Sequence, residues 1–154
     1  MRPCLKTALR RAWRDAETLQ FGVRPEHIRL LRPARAELAL LDLLDGSREL
    51  PALVAEARRL GVPVRRLRGL LGELRGSGLL DDAGARQPLR AECPQPELAR
   101  LEPDLAALAL VHPAPGAGDA AMLARRTLRV EVRGAGRVGA SVAAVLAAAA
   151  VGLV

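Results

Sequence analysis

The chain has 154 residues, of which 24 are basic and 17 acidic, so its formal net charge is +7 at pH 7. This length allows one domain, or a small domain with part of another. Half of the residues are apolar but only 1% are aromatic, so a core must be built from leucine, valine and alanine. The basic balance favours an anionic partner, such as an acidic peptide, nucleic acid or lipid; a solvated arginine-rich surface is the alternative.

The few cysteines and histidines show no pattern of a metal, disulfide or catalytic site. Cys4 and Cys93 are far apart and neither belongs to a CxxC pair, and His27 and His112 are isolated. The N-terminal segment lacks the apolar core of a secretory signal. We therefore expect a cytoplasmic protein with free thiols and no bound metal.

The N-terminal segment predicts short strands. Residues 8–14 alternate weakly, residues 18–23 favour a strand, and residues 27–31 form a second arm after a turn at residues 24–26. Pro33 ends the pairing, because proline lacks the amide hydrogen that a sheet ladder requires.

Three helices are predicted next, each with one apolar face. The leucines of Arg35–Leu44 form a broad stripe, and those of Leu50–Leu60 recur at i, i+3 and i+7 before Gly61, which suits a left-handed stop. A third stripe covers Val64–Leu74. Strands followed by three helices, the last two joined by a short turn, indicate an α+β, winged-helix-like module.

The module is predicted to span residues 1–84 and to end in a short strand or a tail at residues 79–82. Residues 85–119 are rich in proline and alanine, which predicts a linker that partly packs on a neighbour, with one short helix at Asp104–Val111. The third region, residues 120–154, is predicted to open with a helix.

That last region then predicts a strand at residues 128–132 and a glycine-rich turn. Gly134, Gly136 and Gly139 have G-x-G-x-x-G spacing, in which glycines let the backbone approach phosphates at a helix N-terminus. The acidic residue that holds a ribose in such folds lies about 20 residues further on, beyond Val154. We therefore expect the start of a Rossmann-like nucleotide site, truncated after its first strand and helix.

Residues 138–154 form an uncharged run at the lower length limit for crossing a bilayer. The run is rich in alanine, contains Gly139, Ser141 and Gly152, and has no aromatic residue at either end. A strand and turn in front of it are more typical of a helix buried against a sheet. We therefore predict a buried helix and no membrane partner, with a tail anchor as the alternative.

Two stretches resemble known families. Residues 3–84, with Thr18-Leu-Gln-Phe-Gly-Val23, Leu41-Asp-Leu-Leu-Asp-Gly46 and Gly78-Leu-Leu-Asp-Asp-Ala83, resemble the PqqD-like element that recognises leader peptides in ribosomal natural-product biosynthesis. Residues 129–154 resemble the opening of a ThiF-like adenylyltransferase domain. In this order they resemble fusion proteins that bind the leader of thiazole- or oxazole-forming precursors.

The resemblance implies that a leader peptide adds as an extra strand along residues 27–31, beside a helix at residues 63–75. The helix arginines would pair with acidic leader residues, and its glycines would allow close approach; solvated arginines and tolerated surface glycines are the alternative. The implied peptide-binding residues are His27, Ile28, Arg29, Leu30, Leu31, Arg65, Arg66, Arg68, Gly69 and Gly72.

For the C-terminal region the resemblance implies a turn near ATP. The implied nucleotide-binding residues are Gly134, Gly136, Arg137 and Gly139. The family's ribose-holding acid, triphosphate-binding arginine and lysine and magnesium-binding aspartate are absent, so ATP is expected in a longer parent and is not expected to bind well here. No catalytic residue is assigned, and enzymatic activity is left open.

We therefore expect residues 1–84 to bind a precursor leader and present it to modifying enzymes of the same pathway, with a homodimer as one possible arrangement. The alternative is a winged-helix transcription regulator with its third helix in the major groove. Nucleic acid is disfavoured as a partner because residues 62–75 contain no Asn, Gln, Ser or Thr to read bases. A fragment of a NAD-binding oxidoreductase is a third possibility, since the glycine pattern does not select a cofactor.

Overall fold

A computed structural model describes residues 1–23, 29–134 and 136–154, and these form a mixed α and β fold. The strands are β1 (Pro3–Leu5), β2 (Arg11–Trp13), β3 (Leu19–Phe21), β4 (Arg29–Leu31) and β5 (Leu80–Asp82). The α-helices are α1 (Arg35–Asp42), α2 (Leu50–Arg59), α3 (Val64–Gly76), α4 (Gln87–Glu92), α5 (Gln95–Val111), α6 (Ala117–Arg126) and α7 (Arg137–Ala148).

Strands β2, β3 and β4 form an antiparallel sheet in that order, as the sequence predicted. Trp13 pairs with Leu19, and Leu19 pairs with Leu31, so the three strands are in register. The central strand buries Leu19 and Phe21, each 2% exposed, against the helices. The predicted turn at residues 24–26 lies outside the described residues.

Helices α1, α2 and α3 confirm the three predicted apolar stripes. Their leucines form one core with the buried face of the sheet, and Leu53, Leu70 and Leu74 have no exposed surface. Gly61 ends α2 with a positive φ of 73°, a conformation that side chains with a Cβ adopt at a cost. The helical hairpin α2–α3 therefore follows from the sequence pattern.

A second, two-stranded sheet joins the two ends of this module. Residues 80–82, for which a short strand or a tail was expected, form strand β5, and β5 pairs with β1, a strand that was not predicted. The amide of Leu5 also donates to the carbonyl oxygen of Leu44 at 3.0 Å, and the backbone amide of Lys6 donates to the carbonyl oxygen of Leu79 at 2.9 Å. The N-terminal residues are thus held between the end of α3 and the loop after α1.

Residues 85–119 contain more helix than predicted. The expected short helix at Asp104–Val111 is the C-terminal part of α5, which begins at Gln95 and continues through Pro103. Proline removes one helical hydrogen bond, but the buried stripe of Leu98, Leu101 and Leu105 packs against Met122 of α6. Tertiary packing therefore outweighs the local breaking signal.

Buried polar contacts fasten α5 and α6 to the N-terminal module. The Lys6 ammonium donates to the carbonyl oxygens of Ala109 at 2.5 Å and Pro113 at 3.0 Å, at the C-terminal end of α5. A carboxylate oxygen of Asp81 accepts a bond from the amide of Gly116 at 2.7 Å, just before α6. These bonds connect β1 and β5 with both helices.

The C-terminal region differs from its prediction in two respects. The expected strand at residues 128–132 is wrong, because these residues make a single parallel bridge, between Arg129 and Leu153. The expected buried helix is also wrong, because α7 has no buried residue and leaves Val138 78% and Val145 67% exposed. One extended segment is too narrow to cover an apolar helix on its own.

Among the described residues, none of the helices combines the length and apolar character that crossing a lipid bilayer requires. The uncharged C-terminal run is divided between α7 and the extended residues around Leu153. The helical portion covers Arg137–Ala148.

Candidate functional site

Strand β4 is the part of the predicted peptide site that the backbone defines. It pairs with β3 on one side and ends the sheet on the other, within the part of the chain that the structure describes. Arg29, Leu30 and Leu31 occupy this edge strand. His27 and Ile28, which belong to the same predicted edge, lie outside the described residues.

Helix α3 presents an exposed face with basic and glycine residues. Arg65, Arg68, Gly69 and Gly72 are all exposed, while Leu67 and other leucines face the core. A Cβ atom placed on Gly72 would meet no atom within 4 Å, so bare helix backbone is open to solvent there. This face can accept a close neighbour, and Arg65 and Arg68 can offer charge to it.

Arg66 has a structural role that the sequence did not predict. Its guanidinium binds Glu37 of α1 through Nε and, at 3.1 Å, through Nη2, and it binds Glu73 through Nη1 at 2.8 Å. Glu37 is buried and also accepts the amide of Ala34 at 3.0 Å, at the start of α1. Arg66 therefore joins α3 to α1, and a bound peptide would have to compete for its donors.

The Glu37 ion pair makes stability depend on pH on the acid side. Hydrogen bonding from Arg66, followed by that from Ala34, holds the pKa of Glu37 below its usual value of 4.5. A carboxyl group whose pKa is lower in the folded than in the unfolded protein stabilises the fold at pH values above its unfolded-state pKa. This stabilisation is lost as the pH falls through the folded-state pKa. We expect Glu37→Gln to lower the free energy of unfolding by about 1 to 2 kcal/mol at pH 7.

Urea unfolding of both proteins between pH 7 and pH 3 measures this effect. The difference between native protein and Glu37→Gln should shrink below pH 4.5, the ordinary value for glutamate. A difference that stays constant over the whole range would show that the carboxylate charge contributes nothing to folding.

The glycine turn before α7 has the geometry of a close helix-to-loop contact. Gly134 has a φ of 108°, and Gly136 is the extended N-cap residue of α7. The first backbone bond into the helix runs from the Ala140 amide to the Gly136 carbonyl oxygen, at 2.9 Å. Arg137 is the first helical residue and is exposed, so the predicted nucleotide-binding residues do lie together.

Gly139 is required by packing rather than by its own backbone angles. A Cβ atom at this position would lie 1.8 Å from the carbonyl oxygen of Gly134 and 3.5 Å from Val132. The third glycine of a dinucleotide fingerprint also permits close packing of the helix, but there the helix packs on a strand, whereas here α7 approaches the backbone at Gly134. An open cleft of about 750 Å³ runs alongside, lined by the extended segment 129–132, the start of α7 and Leu153.

Replacing Gly139 with alanine is expected to separate α7 from the turn. The added Cβ atom meets backbone, which cannot move away as a flexible side chain can, so amide exchange in α7 should accelerate about tenfold. Gly136→Ala is the matched control, because a Cβ atom there meets nothing within 4 Å. Equal exchange rates in the two variants would contradict the assigned packing role of Gly139.

The turn has backbone features that suit a phosphate group, and the described residues supply no further group that we can assign to a nucleotide. Comparison of the chain with family models, with curated proteins and with solved structures finds no match. Functional assignment therefore depends on the geometry of the chain itself. The β4 edge and the exposed face of α3 have more features of a binding site than the glycine turn has.

Proposed function

We propose that the N-terminal module binds an extended peptide, the leader segment of a ribosomally made precursor, as an added strand on β4. The observation that carries this proposal is the position of β4 at the edge of the sheet. One face of this sheet is covered by α1, α2 and α3, and the β4 edge is left for pairing. An edge strand offers amide and carbonyl groups that pair with an incoming chain, so affinity comes largely from the backbone.

The exposed charges support an acidic ligand. Arg65 and Arg68 of α3 are exposed and make no ion pair with a described carboxylate, and the chain as a whole carries +7. Such charges accelerate the encounter with an acidic peptide and add modest affinity. No residue is assigned a chemical step, so the proposed role is to hold the leader while other enzymes of the pathway modify the rest of the precursor.

In a longer parent protein, residues 120–154 would open a ThiF-like nucleotide domain. The glycine turn, with Gly134, Gly136 and Gly139 before α7, supports this proposal. The residues present would face a phosphate through backbone amides. Phosphate binding at such a turn would precede any adenylation, a reaction for which no described residue is assigned.

Fluorescence anisotropy tests the peptide proposal directly. Labelled leader peptides from precursors encoded beside the gene are titrated with the full chain, and each backbone amide of the best ligand is then N-methylated in turn. Strand addition predicts that alternate N-methyl groups weaken binding and the others do not, since only alternate amides face β4. Equal effects at every position would contradict strand addition.

Charge reversal locates the ligand beside α3. Arg65→Glu and Arg68→Glu should each weaken the binding of an acidic leader, by about fivefold at low salt. Arg58→Glu, at an exposed position of α2, changes the net charge equally and should have little effect. If no leader binds, while a gel shift of duplex DNA depends on Arg65 and Arg68, the winged-helix regulator becomes the better account.

A further inference from the structure

A row of polar side chains crosses the end of the three-stranded sheet. Trp13 pairs with Leu19, and Leu19 pairs with Leu31, at one end of the sheet. The residues just beyond this end are Arg14, Thr18 and Arg32, and the antiparallel register places them in one cross-strand row. The amide of Arg14 donates to the carbonyl oxygen of Thr18 at 2.9 Å, which confirms the first pair. With Asp15, these residues line an open polar depression of about 490 Å³.

This row lies on the face of the sheet that points away from the helices. Side chains alternate along a strand, and Leu19 faces the core, so its neighbour Thr18 belongs to the opposite face. Thr18 is only 4% exposed and forms the floor of the row, whereas Arg14 and Arg32 are exposed. Arg11 follows the same rule, because three positions before Arg14 it lies on the helical side and pairs with Asp42 of α1 at 2.6 Å. The row is therefore separate from the exposed face of α3.

The charges of the row are unbalanced. Arg14 and Arg32 bring two guanidinium groups to the depression, and Asp15 brings one carboxylate. One oxygen of that carboxylate accepts the amides of Glu17 at 2.9 Å and Thr18 at 2.7 Å, and these bonds, with a smaller contribution from the Arg32 charge, hold the pKa of Asp15 below its usual value. One further carboxylate, supplied by a ligand, would neutralise the remaining positive charge and could pair with an exposed arginine at the rim of the depression.

Arg32 directly follows the edge strand on which the peptide is proposed to add. A new strand lies about 4.8 Å from its neighbour, so one of its residues falls into the row beside Arg32, on the same face. We infer that this row is a specificity subsite, in which Arg32, supported by Arg14, binds an acidic side chain of the peptide and so fixes the register of the added strand. The inference rests on the proposed strand addition at β4.

The geometry also defines the residues that flank the acidic one. In an added strand they point to the opposite face, the side on which Leu19 and Phe21 are buried against the helices. Apolar side chains suit that side. The recognised segment is therefore an acidic residue between two apolar residues, and a slip of one position would expose the apolar pair and remove the acid from Arg32.

Selection from a phage-displayed library of random dodecapeptides tests the subsite without knowledge of the natural precursor. The full chain should select peptides with an acidic residue at one fixed place between apolar residues, and Arg32→Glu should select lysine or arginine at that place. Changing the acid to its amide in a selected peptide should weaken binding to the native chain about fivefold and leave binding to Arg32→Gln unchanged. Arg10→Glu, an exposed arginine before β2, is the control and should retain the acidic preference.

The possible results separate the subsite from the function on which it rests. Peptides that bind with an N-methyl effect at alternate positions, but with no acid fixed by Arg32, would overturn the subsite and leave strand addition intact. A fixed acid that depends on Arg65 or Arg68 instead would also overturn it. Failure to select any common sequence, together with failure of every leader to bind, would overturn both.

Discussion

Replacing Lys6 with methionine is expected to lower the free energy of unfolding by about 3 kcal/mol, because it leaves buried carbonyl groups without a donor. Lys6 is the only lysine of the chain and is 4% exposed. Its ammonium group bonds to Ala109 and Pro113, where the C-terminal carbonyls of α5 carry partial negative charge. Methionine fills similar space, so the loss reports the bonds rather than a cavity.

Chemical denaturation at neutral pH measures this loss, with Arg100→Met as the control. Arg100 is an exposed cation of α5, and its replacement removes the same charge without breaking a buried bond. We expect the control to differ from the native chain by less than about 0.5 kcal/mol. Equal losses in the two variants would mean that net charge, and not the tie between β1 and α5, determines the result.

Replacing Gly118 with alanine is expected to lower the free energy of unfolding by about 2 kcal/mol, through forced separation of α5 and α6. A Cβ atom at Gly118 would lie 2.8 Å from the amide nitrogen of Ala109 and 2.9 Å from its Cα atom. These are backbone atoms of α5, so a shift of the whole helix is needed to relieve the contact.

Gly72→Ala provides the matched comparison for Gly118→Ala. Both glycines are helical, but a Cβ atom at Gly72 would meet nothing within 4 Å. Alanine there should raise stability by up to about 1 kcal/mol through helix propensity alone. If Gly118→Ala stabilised the chain as Gly72→Ala does, α5 and α6 would not cross as closely as described.

Together the Lys6 and Gly118 contacts bear on how much of the chain acts as a unit. Residues 85–126 form helices that pack on one another and bond to β1 and β5, through Lys6 and Asp81. A ligand on the sheet is therefore presented on a body that includes α5 and α6. We expect a protein cut after residue 84 to lose stability, since the Lys6 ammonium would lose its carbonyl partners and the Asp81 carboxylate would lose the amide of Gly116.

The sequence was sufficient to predict α1, α2 and α3, because their leucines repeat with the helical period and all face one core. It was also sufficient for the three-strand sheet, where Leu19 and Phe21 alternate with polar residues. The same reasoning failed for α5, because Pro103 and its neighbours indicate a break, and only packing against Met122 explains the continuous helix. Long-range packing has no signature in a local window.

The candidate sites divide in the same way. The glycine turn was predictable because Gly134, Gly136 and Gly139 have a recognisable spacing. The role of Arg66 was not predictable, because its partner Glu37 lies on another helix. Glu37 stands three residues after Ala34, and this spacing was the available sign of a carboxylate at the start of a helix. The row of Arg14 and Arg32 depends on strand register, which a sequence alone does not give.

Residue-resolved amide exchange, measured by NMR with and without a bound leader peptide, tests strand addition at β4 most directly. Our account predicts that alternate amides of Arg29–Leu31 exchange at least about tenfold more slowly in the complex, because only they donate to the added strand. The amides of β2, at the opposite edge, should be unaffected. Unchanged exchange in β4, with protection at β2 or α7 instead, would contradict the account.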